Sequence, residues 1–176
     1  MNYLYFTLSV SVLGLFATWA LTRLVQRQPE GTPEMMVVAD AIKTGANAFM
    51  KRLFSTIGYI AIAVAVLIVL AYGLSGQWTK GWETVISFIL GAVLSGLAGY
   101  MGMFVSVRAN SKVAAAAKRG SLSDALNIAL RGGAVEGTLV SSLSLLGLSE
   151  LLFVYYHILG DFRLVPGVII GFGFGA

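Results

Sequence analysis

Cysteine is absent from this 176-residue chain, and charged residues are scarce. Without cysteine, neither a disulfide framework nor a thiolate metal site can form. Charged residues make up 11% of the sequence, whereas a soluble domain carries about 25%. Together with a hydrophobic content of 57%, this scarcity excludes a soluble globular enzyme, a disordered chain and a coiled coil. The composition therefore predicts an integral membrane protein.

The short motifs of common enzymatic chemistry are missing as well. The sequence contains no Walker motif, no His-Glu zinc helix and no nucleophile elbow. The nearest feature is a glycine string in an apolar segment, at Gly167, Gly171, Gly173 and Gly175. This string lacks the strand–loop–helix context of a phosphate-binding loop. Close packing of helices is the better interpretation of these glycines.

Charged residues divide the chain into uncharged runs, several of which are long enough to cross a membrane. A helical span needs about 20 apolar residues. We predict a single membrane domain over residues 1–176, with spans near residues 3–22, 53–74, 84–107, 132–156 and 164–176. The fold class is therefore an all-α polytopic membrane protein with four transmembrane helices and an incomplete fifth.

The fifth run is too short to cross the bilayer. Its 13 residues cover about 20 Å of a hydrocarbon core that is about 30 Å thick. A backbone that ends inside the bilayer leaves terminal carbonyl groups without partners. We therefore expect the sequence to be part of a longer protein, and the alternative is a re-entrant or interfacial tail.

Basic residues are distributed unevenly between the connections. Ten of the twelve Lys and Arg residues lie within residues 23–52 and 108–131, whereas the other connections hold Lys80 and Arg163. Because basic residues concentrate in cytoplasmic loops, we place these two loops in the cytoplasm and the N-terminus outside. Aromatic residues fit the opposite interface, at Trp78, Trp82, Tyr155 and Tyr156. We interpret the adjoining His157 as an interfacial residue rather than a ligand or proton relay.

Both cytoplasmic loops are predicted to be helical. Thr32-Pro33-Glu34 is typical of a helix start, with an N-cap, an N1 proline and an acid in the first turn. An apolar stripe then extends this helix into the second span: Met35, Val38, Ile42, Ala46, Phe49 and Leu53. In the second loop, we expect a short helix over residues 113–117 that Gly120 ends. Ser121 or Ser123 then caps a helix over residues 124–130.

Two carboxylates, Glu136 and Glu150, interrupt the fourth span. An intramembrane acid is a functional candidate by default. The two lie about 21 Å apart along a helix, so they cannot share one metal ion. We place Glu136 at the cytoplasmic interface and keep Glu150 as the candidate intramembrane acid, with an interfacial position or a structural ion pair as the alternative.

Several stretches together resemble the membrane-bound ion-pumping inorganic pyrophosphatases. Gly45–Arg52 is similar to the family's cytoplasmic stretch before its second span, and Gly99–Asn110 to the end of its third span. Arg131-Gly132-Gly133 resembles the entry to the fourth span, and Gly171–Ala176 the start of the fifth. The residues that carry the resemblance are Gly45, Ala46, Arg52, Gly99, Tyr100, Gly102, Arg108, Asn110, Arg131, Gly132, Gly133, Gly171, Gly173 and Gly175.

This resemblance implies a much longer protein. The family hydrolyses pyrophosphate held by Mg²⁺ and pumps protons or sodium ions outward. It forms homodimers of subunits with an inner and an outer ring of helices, and spans one to four belong to the outer ring. The acidic motif that binds magnesium pyrophosphate follows the stretch that matches Gly171–Ala176. No catalytic, cofactor-binding or metal-binding residue of the family can therefore be carried onto this chain.

The resemblance thus predicts the N-terminal portion of a pyrophosphate-energised pump, located in a prokaryotic cell membrane and inactive alone. Its partners are then the bilayer and the remainder of the pump polypeptide. The alternative is a stand-alone small polytopic protein, such as a transporter subunit or scaffold. Because small-residue faces such as Gly91, Ser95 and Gly99 would lack partners, we expect the isolated chain to self-associate or to be unstable in detergent.

Overall fold

The structure, a computed structural model, describes residues 2–160 and 165–176. Within these residues five helices and no strands occur: α1 (Asn2–Gln26), α2 (Pro33–Leu74), α3 (Trp78–Lys118), α4 (Leu122–Leu159) and α5 (Val165–Gly175). Of the described helices, α1 to α4 are long and apolar enough to cross a membrane. The prediction of an all-α polytopic membrane protein is confirmed. Arg163 and Leu164, in the last predicted connection and at the start of the fifth span, lie outside the described residues.

Three of the helices are longer than a bilayer is thick. Helix α2 has 42 residues and therefore extends over about 63 Å, against a hydrocarbon core of about 30 Å. Helices α3 and α4 have 41 and 38 residues. Each of the three must therefore project well beyond the hydrocarbon. The orientation of the chain, with its N-terminus outside, stays a prediction.

The projecting parts continue the spans instead of forming separate helices. As expected, α2 runs from Pro33 into the second span without a break, and the Thr32 carbonyl accepts the Met36 amide at 3.0 Å. In the second loop we expected separate short helices, but α3 continues to Lys118 and α4 begins at Leu122. Helix α4 thus passes through Gly132-Gly133, at a helix-propensity cost of about 1 kcal/mol for each glycine.

The turn between α3 and α4 explains where these two helices end and begin. The amide of Ser121 reaches the Ala116 carbonyl at 3.3 Å, and the amide of Gly120 reaches Ala117 at 2.9 Å. This is the Schellman pattern, which needs a left-handed residue at its C′ position, and Gly120 supplies it with φ of 81°. The Ser121 hydroxyl then accepts the Asp124 amide at 3.2 Å. Of the two serines proposed as caps, Ser121 is thus the one that caps α4.

Contacts group the chain into two compact units. Unit 1 comprises Met1–Val12, Phe54–Leu97 and Ser142–Ala176, and unit 2 comprises Leu13–Leu53 and Ala98–Ser141. The core of unit 1 consists of Leu151, Tyr155, Val165 and Phe172. Unit 2 has two buried clusters: Val25, Val105, Ala109 and Val135, and the smaller group Ala116, Ala125 and Ile128. The prediction of one membrane domain over residues 1–176 stays a prediction.

Candidate functional site

A buried lysine is the most unusual polar feature of unit 2. The Lys112 side chain on α3 belongs to a residue that is only 3% exposed. Its Nζ donates hydrogen bonds to the carbonyl oxygens of Gln26, at 3.0 Å, and Gln28, at 2.7 Å. Gln26 is the last residue of α1, and carbonyl groups at a helix end have no partner inside the helix. Lys112 therefore caps α1 and fixes the start of the connection to α2.

Further charges compensate the buried ammonium group. Lys112 Nζ lies 3.6 Å from Glu30 Oε1, and Lys43 Nζ lies 4.0 Å from Glu30 Oε2. Lys43 also pairs with Asp40 at 3.1 Å. An unpaired buried charge is costly, so a buried lysine needs such partners. The four side chains form a network of alternating charge that joins α3, the α1–α2 connection and α2; we call it the Lys112 network.

The distribution of basic residues does not reveal this role of Lys112, since it is one of ten basic residues in the two predicted loops. The sequence around it nevertheless contains a signal. Val105 and Ala109 precede Lys112 by seven and three residues, Ala116 follows it by four, and all three are buried. Residues at these spacings share one face of a helix, so Lys112 occupies a core position in an apolar stripe. A cation at such a position indicates a buried, partnered ammonium group.

Two of the family-motif glycines in unit 2 mark close helix contacts. At Gly102 of α3, an added Cβ would lie 2.6 Å from Cγ of Glu136 and 2.9 Å from its Cβ. At Gly132 of α4, an added Cβ would lie 3.2 Å from the Ala109 methyl group. Glu136 thus packs its aliphatic stem on Gly102 while the residue as a whole remains exposed. The structure brings this acid against α3, a contact that the sequence did not predict.

Arg108 and Tyr100 share an aromatic neighbour on α3, Phe104. The Arg108 guanidinium donates to the Phe104 carbonyl at 3.2 Å and its Cζ lies 3.3 Å from the centre of the Phe104 ring. The Tyr100 and Phe104 rings stack with centroids 6.5 Å apart. Arg108 is therefore a residue of the α3 surface, stabilised by a cation–π contact.

The other motif residues of unit 2 are spread along its helices. Exposed Asn110 lines a cavity of about 640 Å³ between α2 and α3, whose walls include Val38 and Ile42. An added Cβ at Gly45 or Gly133 would meet no atom within 4 Å. The remaining positions are Ala46 and Arg52 on α2, Gly99 on α3 and Arg131 on α4. The structure therefore does not gather the motif residues into one catalytic constellation.

In unit 1, α3 and α5 approach until their backbones touch; we call this contact the α3–α5 seam. Added Cβ atoms at Gly91, Gly171 and Gly175 would overlap the carbonyl oxygens of Phe172, Thr84 and Phe88, respectively. Ser95 Oγ also donates to the Ala176 carbonyl at 2.8 Å. Of the predicted motif glycines, Gly171 and Gly175 thus lie in the seam, whereas Gly173 meets open space. The interpretation of close helix packing holds for these two.

Tyr155 holds a second polar contact in unit 1. Placed at a membrane interface by its sequence context, it is instead 5% exposed and lies in the core. Its hydroxyl donates to the Glu83 carbonyl at 2.7 Å and accepts a hydrogen bond from Ser87 at 3.2 Å. Burial of the phenol is permitted because its polar atom has partners.

The candidate acid Glu150 is exposed on α4. The His157 ring lies 4.4 Å from the ring of Phe153, and its Nδ1 is 3.0 Å from the Phe153 carbonyl. Across residues 2–160 and 165–176, no group of three or more His, Cys, Asp or Glu side chains is placed to hold a metal ion.

Comparison with known proteins identifies a family that matches this architecture. The family model described as "Inorganic H+ pyrophosphatase" matches residues 12–176. The chain is 43% identical over 165 residues to "K(+)-insensitive pyrophosphate-energized proton pump 2" of Moorella thermoacetica, covering 94% of this chain. It is 40% identical over 185 residues to a "K(+)-insensitive pyrophosphate-energized proton pump" of Caldanaerobacter subterraneus subsp. tengcongensis, covering 99%.

A plant protein is similar as well. The chain is 35% identical over 190 residues to "Pyrophosphate-energized membrane proton pump 3" of Arabidopsis thaliana, covering 97% of this chain. The matched region amounts to 23%, 26% and 23% of the Moorella, Caldanaerobacter and Arabidopsis proteins, respectively. The chain thus spans about a quarter of the length of these curated relatives.

Proposed function

Because the chain belongs to the inorganic H⁺ pyrophosphatase family, we propose that it is the N-terminal membrane portion of a pump that couples pyrophosphate hydrolysis to outward proton transport. The family match over residues 12–176 carries this proposal. Four helices that qualify as membrane spans support it. We propose protons rather than sodium ions as the transported ion because the relatives at 43% and 40% identity are both named as proton pumps. Those names also favour a pump that does not depend on potassium.

Within such a pump, this chain supplies structure rather than reacting groups. Mg²⁺ in phosphoryl-transfer sites is held by carboxylates, substrate phosphate and water. The acids that the structure describes form no cluster of that kind, so we assign no step through Mg²⁺ to them. The chain instead contributes membrane-spanning helices to a larger subunit, which we propose to work as a homodimer with both basic loops in the cytoplasm.

Complementation tests this proposal. The chain would be co-expressed with the Moorella pump lacking the quarter that it matches, and pyrophosphate-driven acidification would be followed in inverted membrane vesicles. We expect acidification only when both polypeptides are present. The comparison variant carries Gly175→Leu, whose side chain would overlap the Phe88 carbonyl; it should prevent the α3–α5 seam from forming and abolish the signal. Acidification by the truncated pump alone, or none with both parts membrane-inserted, would contradict the proposal.

The isolated chain provides a second test. We expect no magnesium-dependent release of phosphate from pyrophosphate by the purified protein above a heat-denatured sample. Hydrolysis of pyrophosphate by the chain alone would contradict the proposal that its role is purely structural. It would also favour the alternative of a stand-alone small polytopic membrane protein.

A further inference from the structure

Aromatic and cationic side chains share one exposed face near the C-terminal end of α1, within unit 2. Phe16 is 64% exposed and Trp19 is 53% exposed, and Arg23 and Arg27 are also exposed. The Arg27 amide donates to the Arg23 carbonyl at 3.1 Å, which continues the helical turn past the end of α1. Residues four apart on a helix are neighbours on its surface. The two guanidinium groups therefore belong to adjacent turns of one face.

The aromatic rings connect these cations to the apolar part of the helix. Cζ of Arg23 lies 5.0 Å from the centre of the Trp19 ring, and the Trp19 and Phe16 ring centroids are 5.6 Å apart. Phe16 and Arg27 are separated by about 17 Å along the axis. Over that distance the face changes from apolar, through tryptophan, to cationic. A bilayer changes in the same order from acyl chains, through the interface, to headgroups.

The charges on this face are not neutralised by the part of the chain that the structure describes. Neither Arg23 nor Arg27 forms an ion pair there, since the ion pairs of this region involve Lys43 and Lys112. Glu30, the acid nearest in sequence, is engaged by the Lys112 network. Two neighbouring guanidinium groups suit an anion with several oxygens, and phosphate is the usual one.

We propose that Phe16, Trp19, Arg23 and Arg27 form a binding site for an anionic phospholipid, in which the arginines hold the headgroup phosphate and the aromatic rings contact the acyl chain. A lipid is favoured over free phosphate because the aromatic half of the face lies in a helix that qualifies as a membrane span. Free phosphate gains nothing from Phe16 or Trp19. This site does not depend on the proposed pumping function, because it uses only residues at the C-terminal end of α1.

Tryptophan fluorescence in nanodiscs tests the site directly. Trp78→Phe and Trp82→Phe leave Trp19 as the sole tryptophan, and brominated chains are placed on either phosphatidylglycerol or phosphatidylcholine at the same mole fraction. We expect brominated phosphatidylglycerol to occupy the Trp19 site with about 25-fold preference, since each of the two arginines near an anionic surface contributes about a factor of five. High salt should reduce the preference because it screens exposed charges.

Matched variants locate the source of the preference. R23Q with R27Q should make the two lipids quench equally, whereas Arg119→Gln, an exposed arginine beyond the end of α3, should leave the preference unchanged. Equal quenching in the unsubstituted chain would overturn the proposal. A preference that survives loss of both arginines, or that inorganic phosphate abolishes at a concentration equal to that of the lipid, would overturn it as well.

Discussion

Each of the two units is stabilised internally by a different kind of contact. In unit 1, α3 and α5 meet through glycines whose neighbours are backbone carbonyl oxygens, and the added hydrogen bonds come from neutral groups such as Ser95 and Tyr155. In unit 2, a buried ammonium group on α3 holds the end of α1 and pairs with Glu30. Thr18 and Thr138 add one neutral contact there, at 2.9 Å.

The difference fits the predicted placement of the spans in lipid and of residues 23–52 and 108–131 in water. Where lipid surrounds the helices, apolar burial gives no gain over lipid contact, so small residues that allow backbones to approach supply the specificity. Near water, charged side chains can be solvated in the unfolded state and paired in the folded state, and long polar side chains can join elements. The specific contacts of unit 1 therefore form where glycines lack a side chain, whereas those of unit 2 include a buried ammonium group.

We expect the largest loss of stability from a substitution that disrupts the α3–α5 seam. Gly171→Leu places a side chain where the Thr84 carbonyl lies, and a backbone neighbour cannot move aside. We expect the free energy of unfolding in mixed micelles to fall by about 3 kcal/mol, the upper range for overpacking. Gly173→Leu is the matched control, two residues along the same helix in open space. It should be neutral or slightly stabilising, because leucine is the better helix former. Equal losses for both variants would show that the seam is not the cause.

The next largest loss of stability is expected when the Lys112 charge is removed from unit 2. Lys112→Met leaves the carbonyl groups of Gln26 and Gln28 without their donor and Glu30 with the more distant Lys43 alone. A loss of about 2 kcal/mol is expected, less than for a fully buried pair because Glu30 is partly solvated. Lys112→Arg keeps the charge and should recover part of that stability.

Local fraying provides a readout that separates this role from general destabilisation. Trypsin should cut after Arg27 faster in Lys112→Met, because the α1–α2 connection loses its anchor on α3. Cutting after Arg119, in the turn closed by Gly120, should be unchanged and serves as the internal control. Parallel acceleration at both sites would argue against a specific role of Lys112.

Helices were easier to predict from the sequence than contacts between them. The run from Pro33 through the second span and the four apolar spans follow from local signals: periodicity, capping residues and apolar length. The cap of α4 was predicted only as Ser121 or Ser123, and the continuation of α3 to Lys118 was not predicted. The seam glycines were recognised as packing residues, but their neighbours on α3 lie far away in the sequence. Which glycine meets a carbonyl and which meets open space is a property of tertiary geometry, as Gly171 and Gly173 illustrate.

Polar positions were harder to predict because the same residue types serve two purposes. Lys112 satisfies the rule that basic residues lie in cytoplasmic loops, and that explanation hid its core position between Ala109 and Ala116. Tyr155 fits an interfacial belt by composition, but its hydroxyl finds a buried partner in the Glu83 carbonyl. In both cases the partner is a carbonyl group of another helix or connection, and the sequence pattern does not identify which carbonyl that is.

The smallest change in stability is expected from a glycine substitution in unit 2, which can be compared with Gly171→Leu in unit 1. Gly102→Ala adds a methyl group against Cβ and Cγ of Glu136, but this neighbour is a flexible, exposed side chain rather than a backbone oxygen. We expect a loss of about 1 kcal/mol, which Glu136→Ala should cancel in a double-mutant cycle. Gly45→Ala, in open space on α2 of the same unit, should instead stabilise by up to about 1 kcal/mol through helix propensity. A cost for Gly102→Ala as large as that for Gly171→Leu, unrelieved by Glu136→Ala, would mean that both units are held by backbone contact, and the distinction between them would fail.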